Sequence, residues 1–465
     1  MGIQMQNKLI QLILNPLANL SNLLPERIRK VSFLLSGLAI FIVHFCYHSE
    51  LLGNVRFLYM YTIDCLFLGL MLFFTLPKEI RSVRFDWKLV VPWTAFTFFA
   101  LIAGLTKSVD YLPDTMLYLV VFPVFFLVWN NCDFQSLIQG LCTIVKLSFA
   151  VCLLVSLFWF PITGRQYSSF FWNLNSFAIY LALVVVCALI DFLSRPQCGA
   201  RAMLDLVIMG IATALAYYSN SRTGQLGIFV PLFGTCFLLL IVNRSEFWKL
   251  LRGKVLPIAV SIAIFLPTTV FIFDVPQNIH SWWMTIENFS ATSEQPATSE
   301  QPATSEQPTT PPPPTTSDKF DEIVTYNNTK TNAENKTLDE ISTGRISIWK
   351  AYLEHLSVWG HGIDEKFFVE ERGTYNSTAH MTILEFAYIY GVPAGLAYLV
   401  FNLLSGIKSV VFAVKNRGNM LALFPFAIAL SFGAMSLVTA FSTSFYTMIV
   451  LFYYLVQFPL MKKEP

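Results

Sequence analysis

Three arginines and one histidine are the residues of this sequence best suited to chemistry, because each stands at the edge of an apolar run. Arg222 lies in YYSNSRTGQLG, Arg165 in WFPITGRQYSS and Arg345 in GRISIW, and His380 directly precedes an apolar run. Guanidinium groups bind phosphate oxygens through several N–H groups at once. An imidazole, with an ordinary pKa of about 6.5, can take a proton from a hydroxyl near neutral pH. These residue types predict a site that binds a phosphorylated substrate and deprotonates a hydroxyl.

Each of these residues also has a plain structural interpretation. Arg222 could extend its side chain to lipid headgroups, and Arg345 could be a solvated residue of a surface helix. His380 could be a polar cap of the helix that follows it. Small and polar residues surround Arg222 and a helix begins there, which favours an anion site because the first N–H groups of a helix bind phosphate.

Four further side chains are predicted to contact the substrate. Asn173 and Asn175, in FFWNLNSFAIYL, stand at the start of an apolar run, where their amides could bond sugar hydroxyls or each other. Trp349 follows the third arginine by four residues and so shares its helix face. His361, within the sequence GHG, is predicted to bind substrate with them.

Glu385, Asp64 and Lys146 are among the charged residues that fall inside apolar runs, where an unpaired charge is costly. Glu385 lies about a turn and a half beyond His380 in the same helix, and we expect it to support the site by pairing with an arginine or by orienting a polar group. Asp64 and Lys146 lie well inside their runs. We expect these two to neutralise each other, with a proton path as the alternative.

The composition indicates a membrane protein. Of the 465 residues, 55% are hydrophobic and 13% are charged, whereas about a quarter of the residues of a soluble domain are charged. About twelve runs approach the roughly 20 apolar residues that a spanning helix needs. These runs are 31–48, 57–77, 89–106, 114–130, 137–160, 171–193, 202–218, 224–243, 255–274, 382–404, 420–440 and 443–460. The predicted fold is an all-α polytopic membrane protein with about twelve transmembrane helices.

Lysine and arginine in the short connections predict its orientation. One side carries Arg27, Arg29, Lys30, Lys78, Arg81, Arg84, Lys88, Arg195, Arg201, Arg244, Lys249, Arg252, Lys254, Lys408, Lys415, Arg417, Lys462 and Lys463. The short loops of the other side carry Arg56, Lys107, Arg165 and Arg222. We therefore expect both termini in the cytoplasm and the candidate site on the opposite side.

The predicted organisation has five parts. Residues 1–30 form a cytoplasmic N-terminus with an interfacial helix, 31–274 the first nine spans, 275–381 a large external loop, 382–460 the last three spans and 461–465 a cytoplasmic tail. Within the loop, 288–337 contains ATSEQP three times and a Pro-rich run, a composition typical of a disordered tether. The ordered remainder, 338–381, should hold a short interfacial helix capped by Ser342 or Thr343.

The absence of several sequence motifs disfavours some classes of reaction. The sequence has no Walker loop, no dinucleotide fingerprint and no DxD-type carboxylate pair in the outer loops, which disfavours ATP and a metal-bound nucleotide sugar. The eight cysteines lie in or near apolar runs and suggest neither disulfides nor zinc. A lipid-attached diphosphate leaves readily once its charge is neutralised, and arginines can do this without a metal. We therefore expect no cofactor and no metal.

Five pieces of the chain resemble the O-antigen ligase and polymerase family of bacterial envelope enzymes. They are NLNSFA (173–178), SNSRTG (219–224), GRISIW (344–349), GHG (360–362) and AHMTILEFAYIYGVPAG (379–395). Their order, and the large loop before the last spans, are also similar to the family. One position departs from it, because the family often has asparagine after the histidine where this chain has Met381.

The resemblance implies a C-type glycosyltransferase of the bacterial cytoplasmic membrane that uses undecaprenyl-diphosphate-linked glycans. By analogy, Arg222 and Arg345 hold the diphosphate and His380 acts on the acceptor hydroxyl. A polymerase of O-antigen or capsule repeat units is favoured over a ligase to a lipid core and a protein O-glycosylating enzyme. The implied partners are the lipid-linked donor, a glycan or lipid-core acceptor, membrane lipid and a chain-length regulator, and no nucleic acid. A transporter or flippase of lipid-linked sugars is the alternative from another class.

Overall fold

The structure, a computed structural model, describes most of the chain. The described residues are 2–49, 57–107, 112–160, 162, 166–195, 199–293, 345–362, 367–369, 374–375, 378–441 and 448–463. Residues 294–337 of the predicted tether, the predicted caps Ser342 and Thr343, and Arg165 lie outside them.

Helices make up nearly all of the described chain. They are α1 (Gly2–Asn22), α2 (Glu26–His48), α3 (Phe57–Thr75), α4 (Trp87–Thr106), α5 (Leu112–Met116), α6 (Phe122–Trp129), α7 (Phe134–Trp159), α8 (Leu174–Ser194), α9 (Ala200–Tyr218), α10 (Arg222–Val242), α11 (Phe247–Leu250), α12 (Leu256–Ser293), α13 (Arg345–Glu354), α14 (Thr382–Tyr390), α15 (Val392–Lys415), α16 (Phe424–Ser436), α17 (Met448–Leu455) and α18 (Phe458–Met461). Short 3₁₀ or π segments at Leu117–Val121, Arg244–Glu246, Leu251–Val255 and Met420–Leu423 connect some of them. Two strands, β1 (Phe368–Val369) and β2 (Thr374–Tyr375), pair antiparallel.

Nine of the described helical segments are long and apolar enough to cross a membrane. They are Glu26–His48, Trp87–Thr106, Leu112–Trp129, Phe134–Trp159, Leu174–Ser194, Ala200–Tyr218, Arg222–Val242, Arg244–Asp274 and Val392–Lys415. Three described apolar helices are shorter: Tyr61–Thr75, Met420–Ser436 and Met448–Met461. The architecture fits the predicted helical polytopic membrane protein, whereas the count of twelve spans and the side that each loop faces stay predictions.

The buried helix α8 forms the centre of the bundle. Its sequence LNSFAIYLALVVVCALIDFLS is apolar on every side, and such a helix has to be surrounded by other helices. Helices α7, α9, α10 and α16 pack around it. Gly224 lets α10 approach closely, since a Cβ there would lie 2.2 Å from the Cβ of Ala178. The hydroxyl of Ser431 on α16 donates to the carbonyl of Gly227 on α10 at 2.7 Å.

The predicted span 382–404 is broken at Gly391, which corrects its boundaries. Gly391 has a φ of 99°, which a residue with a side chain rarely adopts, and a Cβ there would lie 2.1 Å from the carbonyl oxygen of Val358. The chain therefore turns, and α14 folds back along the start of α15. The rings of Phe386 and Tyr398 lie 4.7 Å apart across this turn. As a result α14 is a separate nine-residue helix and not part of a spanning segment.

The structure also shows that α12 is longer than its predicted span. The predicted run ends at 274, whereas the helix continues to Ser293. It therefore extends through 275–287 and into the first six residues of the predicted tether, 288–293.

The expected pairing of Asp64 with Lys146 is wrong. Asp64 lies on α3, which packs against α2, and its Oδ2 is 2.8 Å from Nε2 of His44. Lys146 lies on α7, beside α8, and pairs with Asp191 and, at 2.7 Å, with Asp205. The difference follows from which helices are neighbours, because each charge pairs with the nearest available partner across its own helix interface.

Substituting Gly391 by alanine is expected to lower the free energy of unfolding by ~3 kcal/mol, because the new methyl group meets backbone in a strained conformation. The measurement is the thermal unfolding midpoint of the purified protein in detergent. Gly406→Ala is the matched control, since it lies within α15 with nothing within 4 Å of the added Cβ. Alanine favours a helix there by about 0.5–1 kcal/mol. Equal unfolding midpoints for the two variants would show that alanine at position 391 causes no backbone strain.

Candidate active site

The N-terminal ends of α8 and α10 are joined by their capping residues. Asn173 caps α8 by accepting from the backbone N–H of Asn175 at 2.8 Å. The Oδ1 of Asn175 accepts from the hydroxyl of Ser221 at 2.7 Å. Ser221 in turn caps α10 by accepting from the N–H of Gly224 at 3.2 Å. This arrangement places Arg222 as the first residue of α10, with its side chain exposed.

Three threonines join the start of α10 to the start of α14. The hydroxyls of Thr223 and Thr439 are 2.9 Å apart. The hydroxyl of Thr382 donates to the carbonyl of Thr439 at 3.0 Å and accepts from the N–H of Phe441 at 3.1 Å. Arg222 is therefore held beside the segment that carries His380.

Two side chains hold the peptide groups that precede His380. The Oε2 of Glu385 accepts from the N–H of Ala379 at 2.6 Å, and the indole Nε1 of Trp349 donates to the carbonyl of Ala379 at 2.9 Å. Of the two expected partners of Glu385, an arginine or a polar group, the structure has the second. His380 itself has a φ of 51°, and its Nδ1 lies 3.4 Å from the hydroxyl of Thr378. The two bonds to Ala379 thus fix the backbone from which the half-buried His380 projects.

The arginine of α13 lies close to the arginine of α10. Arg345 is the first residue of α13 and is half-buried. Burial lowers the pKa of its guanidinium, and the positive charge of Arg222 lowers it further. Like charges that interact in this way repel each other, and an anion bound between them removes that repulsion. The structure therefore brings together Arg222, Arg345, Trp349, His380 and Glu385.

His361 lies on the other side of the same segment. Its N–H donates to the carbonyl of Tyr388 at 2.9 Å, its ring stacks on that of Tyr388 at 4.7 Å, and its Nε2 is 2.7 Å from the carbonyl of His355. These contacts attach the GHG turn to α14. Its predicted part in substrate binding stays a prediction, as does that of Arg165, which lies outside the described residues.

Sequence reasoning missed the threonine contacts, although the chain contains a signal for them. The polar run TAFSTSF, which begins at Thr439, interrupts two apolar stretches. Polar residues between two spans often line a functional cavity. Within the part of the chain that the structure describes, no group of three or more His, Cys, Asp or Glu side chains is placed to hold a metal ion.

Glu385 gives the fold a dependence on pH. The residue is 4% exposed, and burial raises the pKa of its carboxyl from 4.5 to about 7, against the opposing effect of the Ala379 N–H. The folded protein therefore binds this proton more tightly than the unfolded chain does. The stability that the fold gains from protonated Glu385 is fully present below pH 4.5, and it is lost as the pH rises through about 7. The loss in the free energy of unfolding amounts to ~3 kcal/mol.

We expect the Glu385→Gln variant to lose that dependence, because the amide keeps the shape and does not ionise. The measurement is the unfolding midpoint in detergent at about pH 5 and about pH 8 for both proteins. The wild-type midpoint should fall more between the two pH values than the midpoint of the variant. Equal falls would show that Glu385 does not titrate in this range.

The comparison with known families agrees with this geometry. Residues 207–399 match the family model described as O-antigen ligase, a stretch that contains Arg222, Arg345, His380 and Glu385. This match supports the assignment of the chain to the O-antigen ligase and polymerase family, as the sequence pieces predicted. No curated protein matches the chain.

The matched family supports a membrane activity of the O-antigen ligase or polymerase type. The family comprises glycosyltransferase-like enzymes whose substrates in the membrane are a lipid-linked glycan and an acceptor. The apolar helices of the described chain are those of an integral membrane protein.

Proposed function

We propose that this protein is an inverting, metal-independent glycosyltransferase that joins undecaprenyl-diphosphate-linked repeat units into O-antigen or capsular polysaccharide. The observation that carries the proposal is that hydrogen bonds hold the starts of α10, α13 and α14 together, with Arg222, Arg345 and His380 at these helix starts. Two adjacent guanidinium groups match the two phosphates of a diphosphate. An imidazole nearby matches the need to deprotonate a hydroxyl.

Each of the three residues has one role in the reaction. His380 removes the proton from the acceptor hydroxyl as its oxygen attacks the anomeric carbon of the donor sugar. The bond from that carbon to the diphosphate oxygen breaks, a glycosidic bond forms, and the lipid diphosphate leaves. Arg222 and Arg345 stabilise the negative charge that develops on the leaving oxygen. A direct attack of this kind inverts the configuration of the sugar carbon.

Trp349 and Glu385 are positioning residues in this mechanism. They bind the two peptide groups of Ala379 and so set the backbone from which His380 projects. Asn175, exposed at the start of α8, is the described amide placed to bind sugar hydroxyls. Asn173, His361 and Arg165 complete the proposed substrate contacts.

The proposed site faces the exterior of the bacterial cytoplasmic membrane. The Lys- and Arg-rich connections lie at the opposite ends of the helices from Arg222, and such connections stay in the cytoplasm. Both termini are then cytoplasmic. Lipid-linked repeat units reach the site from the outer leaflet, and a chain-length regulator is a partner of the polymerase activity.

Two other activities of this site give different products. A ligase transfers the finished glycan to a lipid core, and a protein O-glycosylating enzyme transfers it to a hydroxyl of a protein. A transporter moves lipid-linked sugars without forming bonds, and its polar residues usually lie near the midplane between repeated halves. Here Arg222, Arg345 and His380 gather at one end of the helices, which supports an enzyme.

The test is purified protein in lipid vesicles supplied with lipid-linked repeat units. Formation of longer lipid-linked chains supports the polymerase. Movement of the units without new glycosidic bonds would replace the enzyme by a transporter. In a deletion strain, loss of long chains with single units retained supports the polymerase, whereas accumulation of lipid-linked polymer with no attached glycan identifies a ligase.

A further inference from the structure

Two adjoining cavities lie at the Lys- and Arg-rich end of the bundle, away from the candidate active site. The first, here called the apolar groove, has a volume of about 820 Å³ and runs between α1, α4, the Leu117–Val121 segment and α6. Leu14, Trp93, Thr94, Val120 and Pro123 line it. Its volume falls within the roughly 300–1,000 Å³ of small-molecule sites.

The second cavity, here called the basic pocket, has a volume of about 1060 Å³. Five cationic residues line it together with one carboxylate, Glu79. The five are Lys78, Arg81, Arg84, Lys462 and Lys463. Arg84 and Lys463 line both cavities, so the apolar groove opens directly onto the basic pocket.

Hydrogen bonds build the wall that the two cavities share. The N–H of Lys463 donates to the carbonyl of Arg84 at 2.7 Å, and the N–H of Asp86 donates to the carbonyl of Met461 at 2.9 Å. The side chain of Asn131 accepts from the N–H of Arg81 at 3.0 Å and donates to its carbonyl at 3.1 Å. The backbone of residues 81–86, which carries Arg81 and Arg84, is thus held by hydrogen bonds to residues 461–463 and to Asn131.

The charge of the basic pocket is poorly neutralised by protein. Among the described residues that line it, Arg81 has an ion-pair contact, at 3.5 Å to Glu79, and both side chains are largely exposed. Retention of positive loops in the cytoplasm explains why lysine and arginine are frequent at this end. It does not require the cations to surround a cavity, nor that cavity to continue into an apolar groove between helices.

We propose that the basic pocket and the apolar groove together bind an anionic phospholipid of the adjacent leaflet. The phosphate group lies between Arg84 and Lys463, and one acyl chain lies in the groove against Trp93, Thr94 and Pro123. A basic pocket between helices at the cytoplasmic side is suited to acidic lipid headgroups. This site is separate from the glycosyl-transfer site and does not depend on the function proposed for it.

The test measures lipid binding to the full-length purified protein by native mass spectrometry. The probes are phosphatidylglycerol and phosphatidylcholine with the same acyl chains. We expect tighter binding of phosphatidylglycerol, and the Arg84→Ala/Lys463→Ala double variant should lose ~30-fold in that affinity, as for two cations at a membrane surface. The control is Arg252→Ala/Arg417→Ala, which removes two exposed cations of the same end that line neither cavity.

A second variant tests the groove without changing charge. Thr94→Trp places a large side chain in the apolar groove from an exposed position of α4, so folding should be retained. It should weaken the binding of both lipids, and a phosphatidylglycerol with a photoreactive acyl chain should label the peptides that contain positions 94 and 120 in the wild type and not in the variant. Equal binding of the two lipids to the wild type would overturn the proposal. So would equal losses in the two charge variants, or labelling that Thr94→Trp leaves unchanged.

Discussion

Replacing His380 by alanine is expected to lower the rate of glycan transfer by a factor of about 10²–10⁴, the usual contribution of a general base. The imidazole is the group proposed to take the proton from the acceptor hydroxyl, and the structure holds its backbone through Glu385 and Trp349. The measurement is the initial rate of chain extension by the purified protein on lipid-linked repeat units.

A second variant separates catalysis from folding at this position. His380 has a φ of 51°, a conformation that asparagine adopts more readily than most residues. His380→Asn should therefore fold at least as well as the alanine variant and be as inactive. His355→Ala is the control, because this exposed histidine lies in the same stretch of chain between α13 and α14 and stacks on Phe367. A His380→Asn protein that extends chains at the wild-type rate would remove His380 from the mechanism.

Replacing either Arg222 or Arg345 by alanine is expected to lower the transfer rate by a factor of about 10²–10³, because each guanidinium stabilises charge on the leaving diphosphate. The double variant should lose less than the product of the two single losses, since both residues act on one group. Arg345→Lys should recover only part of the rate, because an ammonium group lacks the planar pair of donors.

The arginine variants need a control from the same helix. Lys350→Ala removes an exposed positive charge from α13 and should leave the rate nearly unchanged. The binding of a non-transferable diphosphate lipid, measured with the same proteins, should weaken for Arg222→Ala and Arg345→Ala. The two arginines do not share a ligand if the rate loss of the double variant equals the product of the two single losses. The same conclusion follows if Lys350→Ala loses as much rate as the arginine variants.

The positions of the site residues could be predicted because short-range rules determine them. Arg222 follows a serine that caps a helix, and Arg345 and Trp349 are four residues apart, so helix geometry places them without knowledge of the fold. The spanning runs follow from the cost of leaving polar backbone or charge in lipid. The family match to 207–399 agrees with the pieces in which those residues occur.

The partners of buried charges could not be predicted, because they depend on which helices are neighbours. Lys146 pairs with Asp191 and Asp205 rather than with Asp64, although all of them lie in or near apolar runs. Glu385 had two possible partners, and the choice of the Ala379 N–H required the path of the chain before α14.

The amino-acid sequence by itself determined that the chain is helical and apolar enough for a membrane, that pieces of it resemble the O-antigen ligase and polymerase family, and which residues could do its chemistry. Lipid solvation and helix periodicity act over a few turns, so a linear pattern is enough to show them. Only the tertiary structure decided that the chain turns back at Gly391, that Thr223, Thr382 and Thr439 join two helix ends, and that Arg222 lies close to Arg345. These contacts join residues up to about two hundred positions apart, and their geometry depends on the packing of the whole bundle.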